Sequence, residues 1–344
     1  MQTKVTKITP DSLSEAKEII LSGGVVAIPT ETVYGLGGNA FDDTAVKKIF
    51  EVKGRPNDNP LIAHVHKDYD LSKIISYDPP YAKKLREAFC PGPLTLVYPS
   101  VGKVSPFVSC GLDTLAVRIP SHAGAQQFLK EVELPIVAPS ANISRHVSPT
   151  SAKHVLDDFE GKIPLILDGG VCVGGIESTV CDVTSEIPVV LRPGLITREM
   201  IAEVVGDCLS YQPNFEKGEK VKSPGVLYKH YSPRCETAFF EAKNVKNAKS
   251  YYMAQSLINK EVAVLCEETC VSQFEKMGAN VLNLGKTEVE MASRLYGLLR
   301  EAEGLCQLLI VVEPTKKDGV MEGVLNRLRK ACASVDIPHD IKNG

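Results

Sequence analysis

Several signatures are missing from this 344-residue sequence, and each absence removes a class of function. No apolar run approaches the roughly 18–20 residues that a membrane span needs. Residues 1–10 contain lysines but no apolar signal core, so nothing there marks the chain for export. The ten cysteines are scattered with no Cys-x-x-Cys pair, which favours reduced, mostly buried thiols in a cytoplasmic protein over a disulfide scaffold. No basic run stands out and the net charge is −3, so a large electrostatic footprint on nucleic acid is not expected. There is no Gly-x-x-x-x-Gly-Lys-Ser/Thr, which excludes a P-loop, and no Gly-x-Ser-x-Gly nucleophile elbow. His64-x-His66 and Cys266-x-x-x-Cys270 lack partners at metal spacing, so no protein-ligated metal is expected. Repeats and low-complexity stretches are absent as well.

The hydrophobic content of 44 % supports real cores, and the length suggests two domains. Residues 1–210 read as strands and helices with irregular, Gly- and Pro-rich connections. Strands are expected at Gly24–Pro29, Pro60–Val65, Leu94–Tyr98, Leu115–Pro120, Pro135–Ala138, Pro164–Leu167 and Pro188–Leu191. Helices are expected at Asp43–Lys53, Tyr81–Phe89, Gly124–Val132, Ser151–Phe159 and after Thr197. Residues 211–234 are polar, proline-punctuated and aperiodic, and read as a linker. Residues 235–344 alternate strand and helix patterns, which argues a small doubly wound parallel sheet.

Four constellations could carry chemistry. The first, Pro29-Thr-Glu-Thr-Val-Tyr-Gly-Leu-Gly-Gly-Asn-Ala40, follows a buried strand and offers hydroxyls and close backbone approach. Gly35-x-Gly37-x-x-Ala40 also fits a dinucleotide fingerprint, although the helix starts late for one; the plain alternative is a glycine-rich tight turn. The second, Lys53-Gly-Arg55-Pro56, ends a helix. If the chain extends there, Lys53 and Arg55 point the same way and can converge on one polyanion. Equally, cations at a helix C-terminus complement its dipole. The third, Ser140-Ala-Asn142, leaves a strand with hydroxyl and carboxamide alternating by two, though both are ordinary turn residues. The fourth sets glycine turns beside Ser178, Thr179 and Arg192. Arg118 stands on a strand with Val117 and Ile119 facing the other way.

In this order, Pro29-Thr-Glu-Thr-Val-Tyr-Gly-Leu-Gly37, Lys53-x-Arg55, Asn59-Pro-Leu, Ser140-x-Asn142, Glu177-Ser-Thr-Val and Leu191-Arg-Pro-Gly resemble the YrdC-type L-threonylcarbamoyladenylate synthases. Ser223-Pro-Gly with Tyr228-Lys-His-Tyr-Ser-Pro233 resembles the interdomain linker of their two-domain form. The resemblance implies an α/β chain: a YrdC-like domain on a twisted open mixed sheet (1–210), a linker folding over the active site (211–234) and a smaller Rossmann-like domain (235–344). It implies a cytoplasmic nucleotidyltransferase that makes threonylcarbamoyl-AMP from L-threonine, bicarbonate and ATP for tRNA modification. ATP would be bound by Lys53, Arg55, Asn59, Ser140, Asn142, Ser148, Arg192 and Tyr231, with Lys53 and Arg55 catalytic and Mg²⁺ held mainly by phosphates. Threonine would be bound by Thr32, His64, Arg118 and Ser178, with Thr114 and Thr179 as lesser candidates. Implied partners are the tRNA threonylcarbamoyl-transfer machinery and, weakly, double-stranded RNA; no membrane is involved. Two rivals are an RNA-binding module without catalysis and a nucleotide-dependent oxidoreductase built on the Gly35 fingerprint.

Overall fold

A computed structural model describes residues 2–57, 59–211, 231–258 and 260–333. The chain divides into two compact units, Met1–Tyr228 and Lys229–Gly344. The proposed linker motif at 223–230 lies outside the described residues.

The first unit runs β1 (Lys4–Lys7), α1 (Pro10–Leu21), β2 (Val26–Ile28), β3 (Gly35–Asn39), α2 (Asp43–Lys53), β4 (Ile62–His64), α3 (Pro80–Phe89), β5 (Leu94–Pro99) and α4 (Pro106–Ser109). It continues through β6 (Thr114–Arg118), α5 (Ala123–Val132), β7 (Ile136–Val137), α6 (Ala152–Phe159), β8 (Leu165–Asp168), β9 (Thr179–Asp182), β10 (Val189–Arg192), α7 (Arg198–Val205) and β11 (Leu209–Ser210). The eleven described strands form one mixed sheet, in the order β1-β8-β2-β3-β7-β4-β6-β5-β9-β10-β11.

Local sequence explains the helix boundaries. Asp42 caps α2 through the Thr44 amide, and Gly54 ends it in the left-handed conformation (φ 59°, ψ 37°). Ser151 caps α6 and Thr197 caps α7. The start of α1 has Thr9 and Ser12 in a reciprocal capping box with Pro10 in the first turn.

The glycine-rich segment 35–39 is a strand, not the turn that its composition suggests. A Cβ on Gly37 would lie 3.0 Å from Ile136 Cγ2, one on Gly38 3.0 Å from Ile49 Cδ1, and one on Gly35 3.0 Å from the Ala138 Cβ. β3 is squeezed between β2, β7 and α2, so the absent side chains serve close packing. A strand that opens no helix at its glycines also removes the dinucleotide fingerprint.

Alternation along the central strands separates two faces. Leu61, Ala63 and Val65, Leu94, Leu96 and Tyr98, and Leu115, Val117 and Ile119 join the main core, to which α2, α3 and α7 contribute. Their neighbours Ile62, Val97, Ala116 and Val180 form a small separate cluster with Leu191 on the other face. By the same alternation His64, Thr95, Arg118 and Ser178 share that second face.

The second unit runs β12 (Glu236–Phe240), α8 (Val245–Leu257), β13 (Val262–Cys266), α9 (Glu268–Glu275), β14 (Asn280–Asn283), α10 (Glu288–Leu305), β15 (Leu308–Val312) and α11 (Val320–Ala331). Its sheet is wholly parallel, in the order β12-β15-β13-β14. Ala248, Tyr252, Cys270 and Phe274 of α8 and α9 cover one face. Ala263, Leu265, Leu309 and Val311 are buried towards the other.

Candidate active site

Arg118 is the centre of the arrangement. It ends β6, opposite Thr95 on β5 and beside His64 on β4. It is 4 % exposed, and its Nη2 lies 2.8 Å from Glu31 Oε1. Glu31 comes from the β2–β3 connection. Burial alone would raise its carboxyl pKa; the adjacent Arg118 charge leads the opposing effects, which outweigh that and hold it below the ordinary value. Next to Glu31, Thr32 is fully buried with its hydroxyl 2.9 Å from that of Thr30. The Thr30 hydroxyl donates to Val33 O at 2.6 Å, so its proton is committed. Thr32 therefore donates to Thr30 and turns acceptor lone pairs outward.

Thr95 extends the cluster. Its hydroxyl is 2.8 Å from Ser178 Oγ, and Arg192 Nε and Nη2 both reach Ser178 O, at 3.1 and 3.0 Å. One residue earlier, Glu177 accepts from Ser148 Oγ at 2.6 Å.

His64 is 3 % exposed with Nδ1 3.1 Å from Ile62 O. Burial, then the Arg118 charge, push its pKa from 6.5 to about 3, so the imidazole is neutral across the physiological range. An unfolded chain takes up the proton first. Stability is therefore constant above pH 6.5 and falls as pH drops towards 3. Replacing His64 by Gln should remove a pH slope of about 1.4 kcal/mol per unit in that window. Denaturant midpoints at pH 7 and pH 5 check this; equal acid sensitivity in both proteins would count against it.

A second group lies along residues 140–148. Gly35 and Ser140 form an isolated bridge, Ala141 N donates to Tyr34 O at 2.8 Å and Tyr34 N to Pro149 O at 2.9 Å, so the β2–β3 connection and this loop are held together. Asn142 Nδ2 donates to Ile143 O and His146 O, at 2.8 and 2.9 Å. Two carbonyl partners fix the orientation of that amide. Its buried Oδ1, like that of Asn59, has no partner among the described residues. Arg55 Nη2 donates to Asn59 O at 3.0 Å.

One expectation needs correction, and three further residues are placed as follows. Lys53 and Arg55 do not project together from an extended chain, because Lys53 is the last helical residue and Gly54 is left-handed. The Lys53 ammonium turns inward. Thr114 stands at the far end of β6, about 13 Å along the strand from Arg118, where the chain from Asn59 enters β4. Thr179 Oγ1 is tied to Ile196, donating to its carbonyl at 2.6 Å and accepting its amide at 3.1 Å. Tyr231 lies in the second unit, buried, with its ring stacked 5.4 Å from that of Tyr296. Thr30, Glu31, Thr95 and Glu177 were not singled out from sequence. A buried arginine requires a counter-charge, and that requirement is the signal that points to Glu31.

Residues 18–194 match the Sua5/YciO/YrdC family model, described as "Telomere recombination", and residues 196–333 match the C-terminal domain of threonylcarbamoyl-AMP synthase. The chain belongs to the Sua5/YciO/YrdC family. The threonylcarbamoyl-AMP synthase of Pyrococcus abyssi is 42 % identical over 92 % of both chains. That of Bacillus subtilis is 40 % identical over 93 % of this chain and 92 % of its own. The solved structure of P. abyssi Sua5 complexed with L-threonine superposes with a TM-score of 0.86 at 38 % identity, covering 97 % of this chain and 99 % of that one. This Sua5-family chain is therefore a two-domain YrdC-type enzyme, with a mixed α/β sheet followed by a parallel one.

Proposed function

We propose that the chain condenses L-threonine with bicarbonate and couples the product to ATP, giving threonylcarbamoyl-AMP, pyrophosphate and water for threonylcarbamoylation of the tRNA adenosine next to the anticodon. The supporting observation is the join between two residue groups: the buried Arg118 cluster and the 140–148 loop meet through the β2–β3 connection and through Ser148 and Glu177.

In this reading Arg118 grips the threonine carboxylate, using guanidinium edges that Glu31 leaves available. Thr32, His64 and Ser178 line the rest of the amino-acid pocket. Arg55, Asn59, Ser140, Asn142, Ser148 and Arg192 surround the nucleotide, with Thr114 on the Asn59 side. The threonine amine attacks the bicarbonate carbon and water leaves, forming the carbamate. A carbamate oxygen then attacks the α-phosphorus, and its bond to pyrophosphate breaks. Both reactants are anions, so cation placement and proximity supply the rate. The neutral His64 suits hydrogen bonding rather than proton storage. Mg²⁺ would travel on the phosphates. The unpartnered amide oxygens of Asn59 and Asn142 are donors of the hard class it takes, directly or through water. Residues 211–234, with Tyr231, would close over the labile carbamate.

Mass spectrometry of the product from ATP, threonine and ¹³C-bicarbonate tests the reading. The expected product is labelled threonylcarbamoyl-AMP. Pyrophosphate release that needs no threonine, or an unlabelled product, would end it. Undiminished product from a chain lacking 212–230 would remove the lid alone.

A further inference from the structure

We propose that Lys53 is a positioning residue that shapes the 140–144 segment from inside the protein and does not itself meet the phosphates. The inference deepens the nucleotide reading above. Lys53 is 2 % exposed. Its Nζ donates to Ser140 O at 2.5 Å and to Asn142 O at 2.6 Å, while its own carbonyl accepts from Ser144 N at 2.8 Å. Three contacts from one residue therefore hold three alternate positions of the loop. An ammonium has three protons, and two are spent on backbone carbonyls. Burial first, then the Arg55 charge, disfavour its charged form, with only Asp158 opposing. That is a poor setting for neutralising a triphosphate.

The same loop is held at other points. Ala141 N is fixed by Tyr34 O, and Asn142 N bonds back to Ser140 O at 3.0 Å in a tight turn. Ile143 N donates to Asp158 Oδ2 at 3.2 Å, and Asp158 Oδ1 meets His146 Nδ1 at 2.9 Å. Both loop carbonyls are drawn to Lys53, and Asn142 Oδ1 has no partner among the described residues. Lys53 thus acts on a ligand through the groups it presents. Gly54 follows in the left-handed conformation, and Arg55 beyond it is half-buried and donates to Asn59 O.

Amine labelling of the wild-type protein with acetic anhydride is the first test. Lys53 should label at least about tenfold more slowly than exposed lysines, with or without ATP, because reagent access requires local opening. Labelling in the free protein that ATP suppresses would overturn the proposal. The second test compares Lys53→Met with Arg55→Met. Lys53→Met should raise amide exchange at 140–146 about tenfold or more in the free protein, and should weaken adenosine and ATP by similar factors. Arg55→Met should leave exchange unchanged and weaken ATP alone. Unchanged exchange in Lys53→Met, with a loss confined to ATP, would overturn the proposal. Labelling and exchange in the free protein need no threonine and no product, so their outcome is separable from that of the synthase reading.

Discussion

Replacing Arg118 by methionine is expected to raise the threonine KM at least 100-fold and to destabilise the first unit by about 3–5 kcal/mol, because it leaves the Glu31 carboxylate buried without its partner. Replacing Glu31 by glutamine in the same chain is expected to return most of the stability and none of the threonine affinity. The two effects separate because they belong to different partners of one guanidinium. Stability depends on the internal carboxylate, whereas substrate binding depends on the edge left for an external one. Urea melts of the two single variants and the double variant, with threonine titrations, decide it. A double variant as unstable as Arg118→Met would show that the pair is not the source of the loss. An unchanged threonine KM in Arg118→Met would remove Arg118 from the pocket.

The second large effect is expected at Gly194. A Cβ there would fall 2.6 Å from Thr179 N, 2.8 Å from Thr179 Oγ1 and 2.9 Å from Glu177 O. Two of those atoms are backbone, and Thr179 Oγ1 is already tied to Ile196 in both directions. The Glu177–Thr179 segment must therefore move, carrying Ser178 away from Thr95 and Arg192. Gly194→Ala is expected to cost about 1–3 kcal/mol of stability. A displacement on the order of 1 Å at the pocket should lower kcat/KM about 100-fold. The control is Gly297→Ala in α10, where an added Cβ meets nothing within 4 Å. That variant should keep full activity and gain up to about 1 kcal/mol. Normal kinetics in Gly194→Ala would mean that the segment absorbs the methyl without moving Ser178.

Helices with an apolar period and a polar cap were legible in the sequence: α2 behind Asp42, α6 behind Ser151 and α7 behind Thr197 all lie where the pattern put them, give or take a residue. Strands with apolar alternation, such as β5 and β6, were equally plain. β1 escaped because Lys-Val-Thr-Lys is polar and mostly exposed, so burial left no imprint on it. β3 escaped because glycine has no side chain to show a preference. α1 carries a weaker signal: Thr9 and Pro10 mark its start, but only Ser12, Ala16 and Ile20 along it are buried. For the site, residue chemistry indicated which side chains matter but not where each one points. Lys53 and Arg55 are separated by one left-handed glycine, and no composition or spacing shows that the first of them turns inward. Thr95 was hidden in the strand pattern, although its alternation with Leu94 and Leu96 puts it on the face of Arg118.

The glycine-rich strand β3 also has a mechanical consequence. Where three of a strand's five residues lack side chains, its neighbours touch main chain there, and any added bulk is transmitted sideways instead of being absorbed by rotamer changes. A methyl group at Gly35 would press on the Ala138 Cβ at 3.0 Å, two residues before Ser140. A defect at an apparently featureless position would thus reach the nucleotide loop through a single intervening side chain.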